Sequence, residues 1–239
     1  MQVEIWSDVV CPWCAIGKRR FEAALSRFAH RDDVEVVWRS FELDPTAPPS
    51  VDISATQRLA DKYGVPLAQA RAMEQRVTDA AAGEGLDFRL DLARPGNTVD
   101  AHRVLHLAAA HGVQSAVKER LLRAYFTEGA PVADRPTLAR LAGEAGLDRA
   151  GTARMLDSGA YLAEVRADEA EARALGIQGV PFFVLGRRYG VSGAQPAEVL
   201  LEALERAWAD AHPLTMVAHP AAGHACTDDS CAVRAEGEA

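Results

Sequence analysis

The sequence has no Lys/Arg run longer than three residues, no long apolar stretch and only four cysteines in 239 residues. Nucleic acid and anionic membranes both reward clustered basic charge. A chain with a formal net charge of −8 and no such cluster is expected to bind neither. A membrane span needs roughly 18–20 apolar residues in succession, and no segment approaches that. The start, Met1-Gln2-Val3-Glu4-Ile5-Trp6-Ser7-Asp8, lacks the basic opening of a secretory signal and carries acids instead. The expected localisation is therefore cytoplasmic. There is also no internal repeat. What is present, 49% hydrophobic and 25% charged residues, is the composition of a globular protein long enough to bury a substantial core.

The four cysteines form two close pairs, Cys11/Cys14 and Cys226/Cys231. In a reducing compartment, tight pairs point to catalysis, redox sensing or metal binding more than to structural bridges.

Around the first pair the sequence reads as strand, CxxC, helix, strand. Val3–Trp6 is a short apolar strand. Phe21, Ala24, Leu25 and Phe28 follow helical spacing after Ala15, and Val34–Phe41 is rich in β-branched and aromatic residues. A long stretch without strand character comes next. Ser54 and Gln57 have capping-box spacing and Gly64 supplies a stop, Pro66 can begin another helix, and Thr98–Ala110, the Val117/Leu121/Tyr125 face and Leu138–Ala145 each read as helical. Strand character returns at Val180–Leu185 and Arg188–Val191 as a hairpin. A last helix follows Gln195-Pro196, with Leu200, Leu204, Ala207 and Trp208 expected to face inward. The expected class is α/β, a thioredoxin-like fold with an all-helical insertion. Residues 1–51 and 156–212 form the discontinuous thioredoxin-like domain, 52–155 the inserted helices and 213–239 a mobile tail.

Cys11-Pro12-Trp13-Cys14 carries the chemistry. A cysteine at a helix N-terminus faces unpaired backbone N–H groups and the positive end of the helix dipole, which favour thiolate over thiol. Two intervening residues place Cys14 one turn on, within reach of a disulfide. Cys11 is then the exposed attacking thiolate and Cys14 the enclosed resolving thiol. Pro12 suits the first helical turn, which does not use its amide hydrogen, and Trp13 offers a flat apolar surface. Zinc would want two further Cys or His ligands close by, and none stands near Cys11. Val180-Pro181 opens the late strand, where a proline held cis would free neighbouring main chain to pair with an extended substrate. An edge-strand proline without a role is the alternative. Asp8 can accept a proton from Cys14, although a carboxylate there also opposes thiolate formation; a plain turn role is the other reading.

Taken together, Trp6–Cys14, Asn97–Arg103 and Gly179-Val180-Pro181-Phe182-Phe183 resemble the FrnE-type branch of the DsbA-like oxidoreductases, over residues 1–210 or so. The resemblance implies a thioredoxin fold with inserted helices, and dithiol oxidase or isomerase activity on protein substrates. It also implies that Asn97–Arg103 borders the active-site cleft, with His102 as a neighbour of the substrate. Some FrnE-like proteins carry a C-terminal CX4C pair, whose spacing Cys226-Thr227-Asp228-Asp229-Ser230-Cys231 matches.

His102 and His106, four apart on one helix, are read as polar residues at the domain interface rather than as a zinc pair. In the tail, His219, His224, Cys226 and Cys231 permit three readings: a mobile dithiol exchanging with Cys11–Cys14, a metal site or a surface disulfide. The first is preferred. Asp228 and Asp229 would raise the thiol pKa values there. The expected activity is thiol–disulfide exchange with protein or peptide thiols, with glutathione or a thioredoxin-type reductant as electron source. It needs no metal and no cofactor beyond the redox-active pair, and oxidation, reduction and isomerisation are all open to it. The rivals are a glutathione-dependent isomerase of small aromatic substrates, like the 2-hydroxychromene-2-carboxylate isomerases, and a redox-inactive binding module. Those isomerases typically have serine where this chain has Cys11.

Overall fold

A computed structural model describes residues 1–49 and 53–213. It opens with strand β1 (Gln2–Ser7), helix α1 (Pro12–Arg27) and strand β2 (Glu35–Ser40). β1 and β2 pair in parallel, from Gln2 opposite Glu35 to Ser7 opposite Ser40, so α1 is the crossover that a parallel pair requires. Helices then run without a strand: α2 (Ala55–Tyr63), α3 (Leu67–Gly83), α4 (Val99–Ala110), α5 (Gln114–Phe126), α6 (Arg135–Glu144), α7 (Arg149–Asp157) and α8 (Leu162–Ala174). The chain returns to the sheet with β3 (Phe182–Leu185) and β4 (Tyr189–Ser192), and α9 (Ala197–Ala211) follows. The sheet order is β2-β1-β3-β4, with β3 antiparallel to both neighbours. Among the described residues, no helix is long and apolar enough to cross a membrane.

The period of β1 sorts its side chains between two layers. Val3 and Ile5 pack with Phe21 of α1, Phe28 just past its end, and Leu200 and Leu204 of α9. Trp6 lies on the opposite face with Ala172 of α8, and its indole N–H donates to the Asp168 carbonyl at 2.9 Å. Glu4 shares that face and is buried mid-strand, a placement tolerable only with compensating charge. Arg39 and Arg187 provide it, at 2.9 Å and 2.5 Å. A second core, among the helices, joins Val104, Leu121, Leu138, Leu141 and Leu156. Val9, Ala15 and Ile16 belong to this second core, so Cys11–Cys14 sits where the two cores meet.

The outer edge of β2 is covered in an unusual way. The Gln114 side-chain amide accepts from Trp38 N–H at 3.0 Å and donates to the Trp38 carbonyl at 2.9 Å, as a neighbouring strand would. Ser115 Oγ accepts from the Trp38 indole at 3.0 Å. The first turn of α5 is thereby pinned to one edge residue.

Several helix limits follow their end signals. Ser54 caps α2 by accepting from Gln57 N–H, Gly64 ends it in a left-handed conformation (φ 62°), and Asp134 caps α6. Elsewhere the structure departs from the sequence reading. The boundary expected between residues 155 and 156 falls inside α7, a helix whose apolar side is too sparse to announce it but which Asp148 caps through two backbone N–H groups. Leu200, Leu204 and Ala207 are buried, whereas Trp208 is only partly so, stacked between His30 and His212 at centroid distances of 4.2 Å and 3.9 Å.

Candidate active site

Cys11 is the N-cap of α1. Its backbone is extended (φ −90°, ψ 114°), its side chain makes no capping bond, and its carbonyl takes Cys14 N–H at 3.0 Å and Ala15 N–H at 3.4 Å. Both thiols are free. Contrary to the expectation of an exposed Cys11, it is only 4% exposed, against 1% for Cys14, while Trp13 stands out at 42%. The cover comes from the loop before β3: Cys11 Sγ lies 3.6 Å from the Val180 carbonyl oxygen. The Val180–Pro181 bond is cis. One turn into α1, Gly17 passes so close to Pro181 that an added Cβ would sit 2.9 Å from the ring's Cγ. The helix can approach this loop only because that position has no side chain.

Beneath the thiols is a buried polar group. Asp8 Oδ1 lies 3.4 Å from His102 Nε2, and its other oxygen accepts from Leu43 N–H at 2.8 Å. Burial alone would push Asp8 up. The close approach and charge of His102, the Leu43 amide and the Lys118 charge outweigh it and hold the carboxyl below the usual carboxylate range. Lys118 of α5 is completely buried, its Nζ has no hydrogen-bond partner, and it lies 5.5 Å from the centre of the Trp38 ring. Burial lowers its pKa to about 8, against the opposing pull of Cys14, Asp8 and Cys11. Cys14 is pushed well above the usual thiol range, first by burial and then by its hydrogen bond and charge coupling to Cys11; Lys118 and the Asp8 main chain act in the other direction.

The structure thus brings Cys11, Pro12, Cys14, Val180 and Pro181 together, with Trp13 at the rim. His102 has no exposed surface, so it reaches the site from below, through Asp8, and cannot touch a substrate as expected. His106 turns elsewhere, to Asp168 Oδ2 at 3.0 Å and Ser40 Oγ at 3.1 Å. The two histidines therefore serve different carboxylates. Arg103 does not border the cleft: its guanidinium is buried against the main chain between α7 and α8. Asn97, one residue before the N-cap Thr98, accepts from Val99 N–H at the start of α4 at 2.9 Å. His219, His224, Cys226 and Cys231 lie outside the described residues.

Two contributors escaped the sequence reading. Gly17 left a trace, as an isolated glycine within a helical pattern. Lys118 left none, because its neighbours Trp38, Cys14 and Asp8 lie far back in the chain.

A family model described as the DSBA-like thioredoxin domain matches residues 2–205. Among solved structures, the probable DsbA oxidoreductase SCO1869 from Streptomyces coelicolor is 48% identical with a TM-score of 0.85, the match covering 98% of this chain and 100% of that one. The cytosolic disulfide reductase DsbM from Pseudomonas aeruginosa, solved with GSH, shares the fold at 23% identity and a TM-score of 0.62, over 86% of this chain and 98% of that one. The uncharacterized protein YwbO of Bacillus subtilis is 28% identical over 216 residues, 85% of this chain and 96% of YwbO.

Proposed function

The chain belongs to the DSBA-like thioredoxin domain family, and from that premise we propose that it exchanges disulfides with protein substrates through Cys11 and Cys14. The observation that carries the reading is the pair of free thiols at the start of α1, with Cys11 Sγ against the Val180 main chain. In the reductive direction, the Cys11 thiolate attacks one sulfur of a substrate disulfide and the other leaves as a thiolate. Cys14 then gives up its proton and attacks Cys11 Sγ, releasing the second substrate thiol. Two electrons have passed to the substrate, and Cys11–Cys14 is left as a disulfide. Run in reverse, the same steps oxidise a dithiol. Resolution by a thiol of the substrate itself gives isomerisation.

The pair is itself the redox centre and calls for no metal or organic cofactor. Asp8, buried beside His102, is the acceptor available to the Cys14 proton. An extended substrate segment would pair with the main chain at Val180, just ahead of β3, with Trp13 as an apolar rest. The partners proposed are protein and peptide thiols, with glutathione or a thioredoxin-type protein as reductant, in the cytoplasm. The motifs around Trp6–Cys14 and Asn97–Arg103 favour the FrnE-type branch, and Cys226/Cys231, by spacing alone, a second exchanging pair. Two adjacent thiols favour exchange over the glutathione-dependent isomerase reading, which has use for one hydroxyl.

A Cys14→Ser variant is expected to accumulate mixed disulfides through Cys11, visible on non-reducing electrophoresis and cleared by dithiothreitol. The reading is lost if no adduct forms and the wild type neither reduces insulin nor reactivates scrambled ribonuclease.

Gly17→Ala tests the approach of α1 to Pro181. Helix propensity alone would favour alanine by about 1 kcal/mol, but the new methyl would meet the Pro181 ring at 2.9 Å. Displacement of the reacting geometry by a fraction of an ångström to an ångström costs about 10- to 100-fold in rate. Insulin reduction should slow by that factor while the melting temperature changes little. Unchanged turnover would show that the Pro181 loop gives way without consequence.

A further inference from the structure

We propose that Lys118, carried by α5 of the helical block, is the positioning residue that makes the resolving thiol Cys14 able to ionise. The inference deepens the exchange reading and rests on it.

A buried lysine without a hydrogen-bond partner is costly and rare, because desolvation penalises the ammonium, and here the Trp38 ring and the Asp8 charge offset that only in part. Lys118 is such a residue: completely buried, with no hydrogen bond to Nζ. Its position is nevertheless tightly fixed. Gln114 and Ser115, one turn earlier, hold the main chain and indole of Trp38 through three hydrogen bonds, and Lys118 lies over the ring of the same tryptophan. The sheet edge thus aims the helix, and the helix delivers a cation beneath the dithiol.

The other charged groups around Cys14 are already engaged or have the wrong sign. Asp8 opposes a thiolate and is paired with His102 and the Leu43 amide. Lys18, on α1, is tied to Glu22 at 2.5 Å and Glu119 at 2.7 Å. Cys11, once it has become a thiolate, repels a second one. Lys118 is fully buried, has no hydrogen-bond partner and is coupled by charge to both Cys14 and Cys11. When Cys14 loses its proton, its thiolate adds a second negative charge to that of Asp8, facing an ammonium that has no hydrogen-bond partner in the dithiol state. An interaction gained only as the reaction proceeds lowers the barrier rather than the ground state. A lysine kept for this purpose reduces the stability of the resting fold, a pattern common at functional sites.

The test uses Lys118→Met, close in shape and uncharged, with Lys118→Gln as a second variant. In a Cys11→Ser background, the ultraviolet thiolate absorbance of Cys14 should titrate at least about one pH unit higher without the lysine, a tenfold change in the ionised fraction. With Cys11 present, resolution of a mixed disulfide at neutral pH should slow by about the same tenfold and recover as the pH is raised. The Met variant should melt no lower than the wild type, because an unpaired buried charge has gone. Unchanged Cys14 titration and resolution, with a lower melting temperature, would make the lysine structural and overturn the proposal. Failure of both variants to fold would do the same. A wild type that exchanges nothing would remove the exchange reading by itself, while the titration still decides the role of Lys118.

Discussion

Cys11→Ser is expected to abolish disulfide exchange while leaving the fold as stable as before, or slightly more so. The attacking atom must be a thiolate. A serine hydroxyl at neutral pH has neither the ionised fraction nor the affinity for a disulfide sulfur. Removing a covalent nucleophile costs at least ~10^4-fold in other enzymes, and insulin reduction should fall to the buffer rate. Stability should move the other way. Cys11 already occupies the N-cap of α1 without making a side-chain capping bond. Serine is among the preferred N-cap residues, and its oxygen can accept from the first-turn amides, a gain of about 0.5–1 kcal/mol. Loss of turnover with a melting temperature at or above wild type therefore marks a chemical role. A variant that still exchanges at a measurable fraction of the wild-type rate would move the attacking thiol elsewhere.

Arg103→Met should produce the largest loss of stability. The Arg103 guanidinium donates to the carbonyls of Ala160 at 2.8 Å, Met155 at 2.8 Å, Leu156 at 3.3 Å and Ser158 at 2.6 Å, and it pairs with Asp100 at 2.6 Å. One side chain of α4 thus closes the turn between α7 and α8. The next residue, Tyr161, sits in the left-handed region (φ 63°), a conformation that a non-glycine residue keeps only when its surroundings hold it there. Methionine fills much of the same space but leaves the carbonyls and Asp100 without their donor. Breaking a buried charged network in this way costs roughly 3–5 kcal/mol. For a chain of this length the melting temperature should fall by about 6–20 °C. A thermal melt followed by circular dichroism checks it, and a shift within about 2 °C would show that the turn finds other donors.

The contrast between these two residues explains how far the sequence could be read. Cys11 announces itself through its spacing to Cys14 and the strand and helix on either side, all local signals. The same holds for Ser54 and Gly64, whose end signals match the observed limits of α2. Arg103 lies in a motif that resemblance placed beside the cleft, yet apart from Asp100 its main partners are carbonyls more than fifty residues away, and backbone atoms carry no residue signature. The exposure of Cys11 was misread for a related reason: its cover is a carbonyl from Val180, brought in by the folding of the whole chain. α7 was missed because a short helix with two or three inward apolar residues shows little period. Of the site, the thiols and Pro181 could be read from the sequence. The cations behind them could not, since a lone lysine on a helix looks solvent-facing until the fold encloses it.

The contact between Gln114 and Trp38 also bears on what this sheet does with other copies of itself. An open outer strand is a template on which another chain can register and start a growing ribbon. On β2 the donor and acceptor of Trp38 are both taken by a single side-chain amide. A second strand laid along this edge would have to displace Gln114, and with it the start of α5, before pairing at that residue. The glutamine interrupts the template at Trp38, and Asp168 Oδ2, accepting from Ser40 N–H at 2.8 Å, occupies a further β2 amide, so strand addition is opposed at both residues.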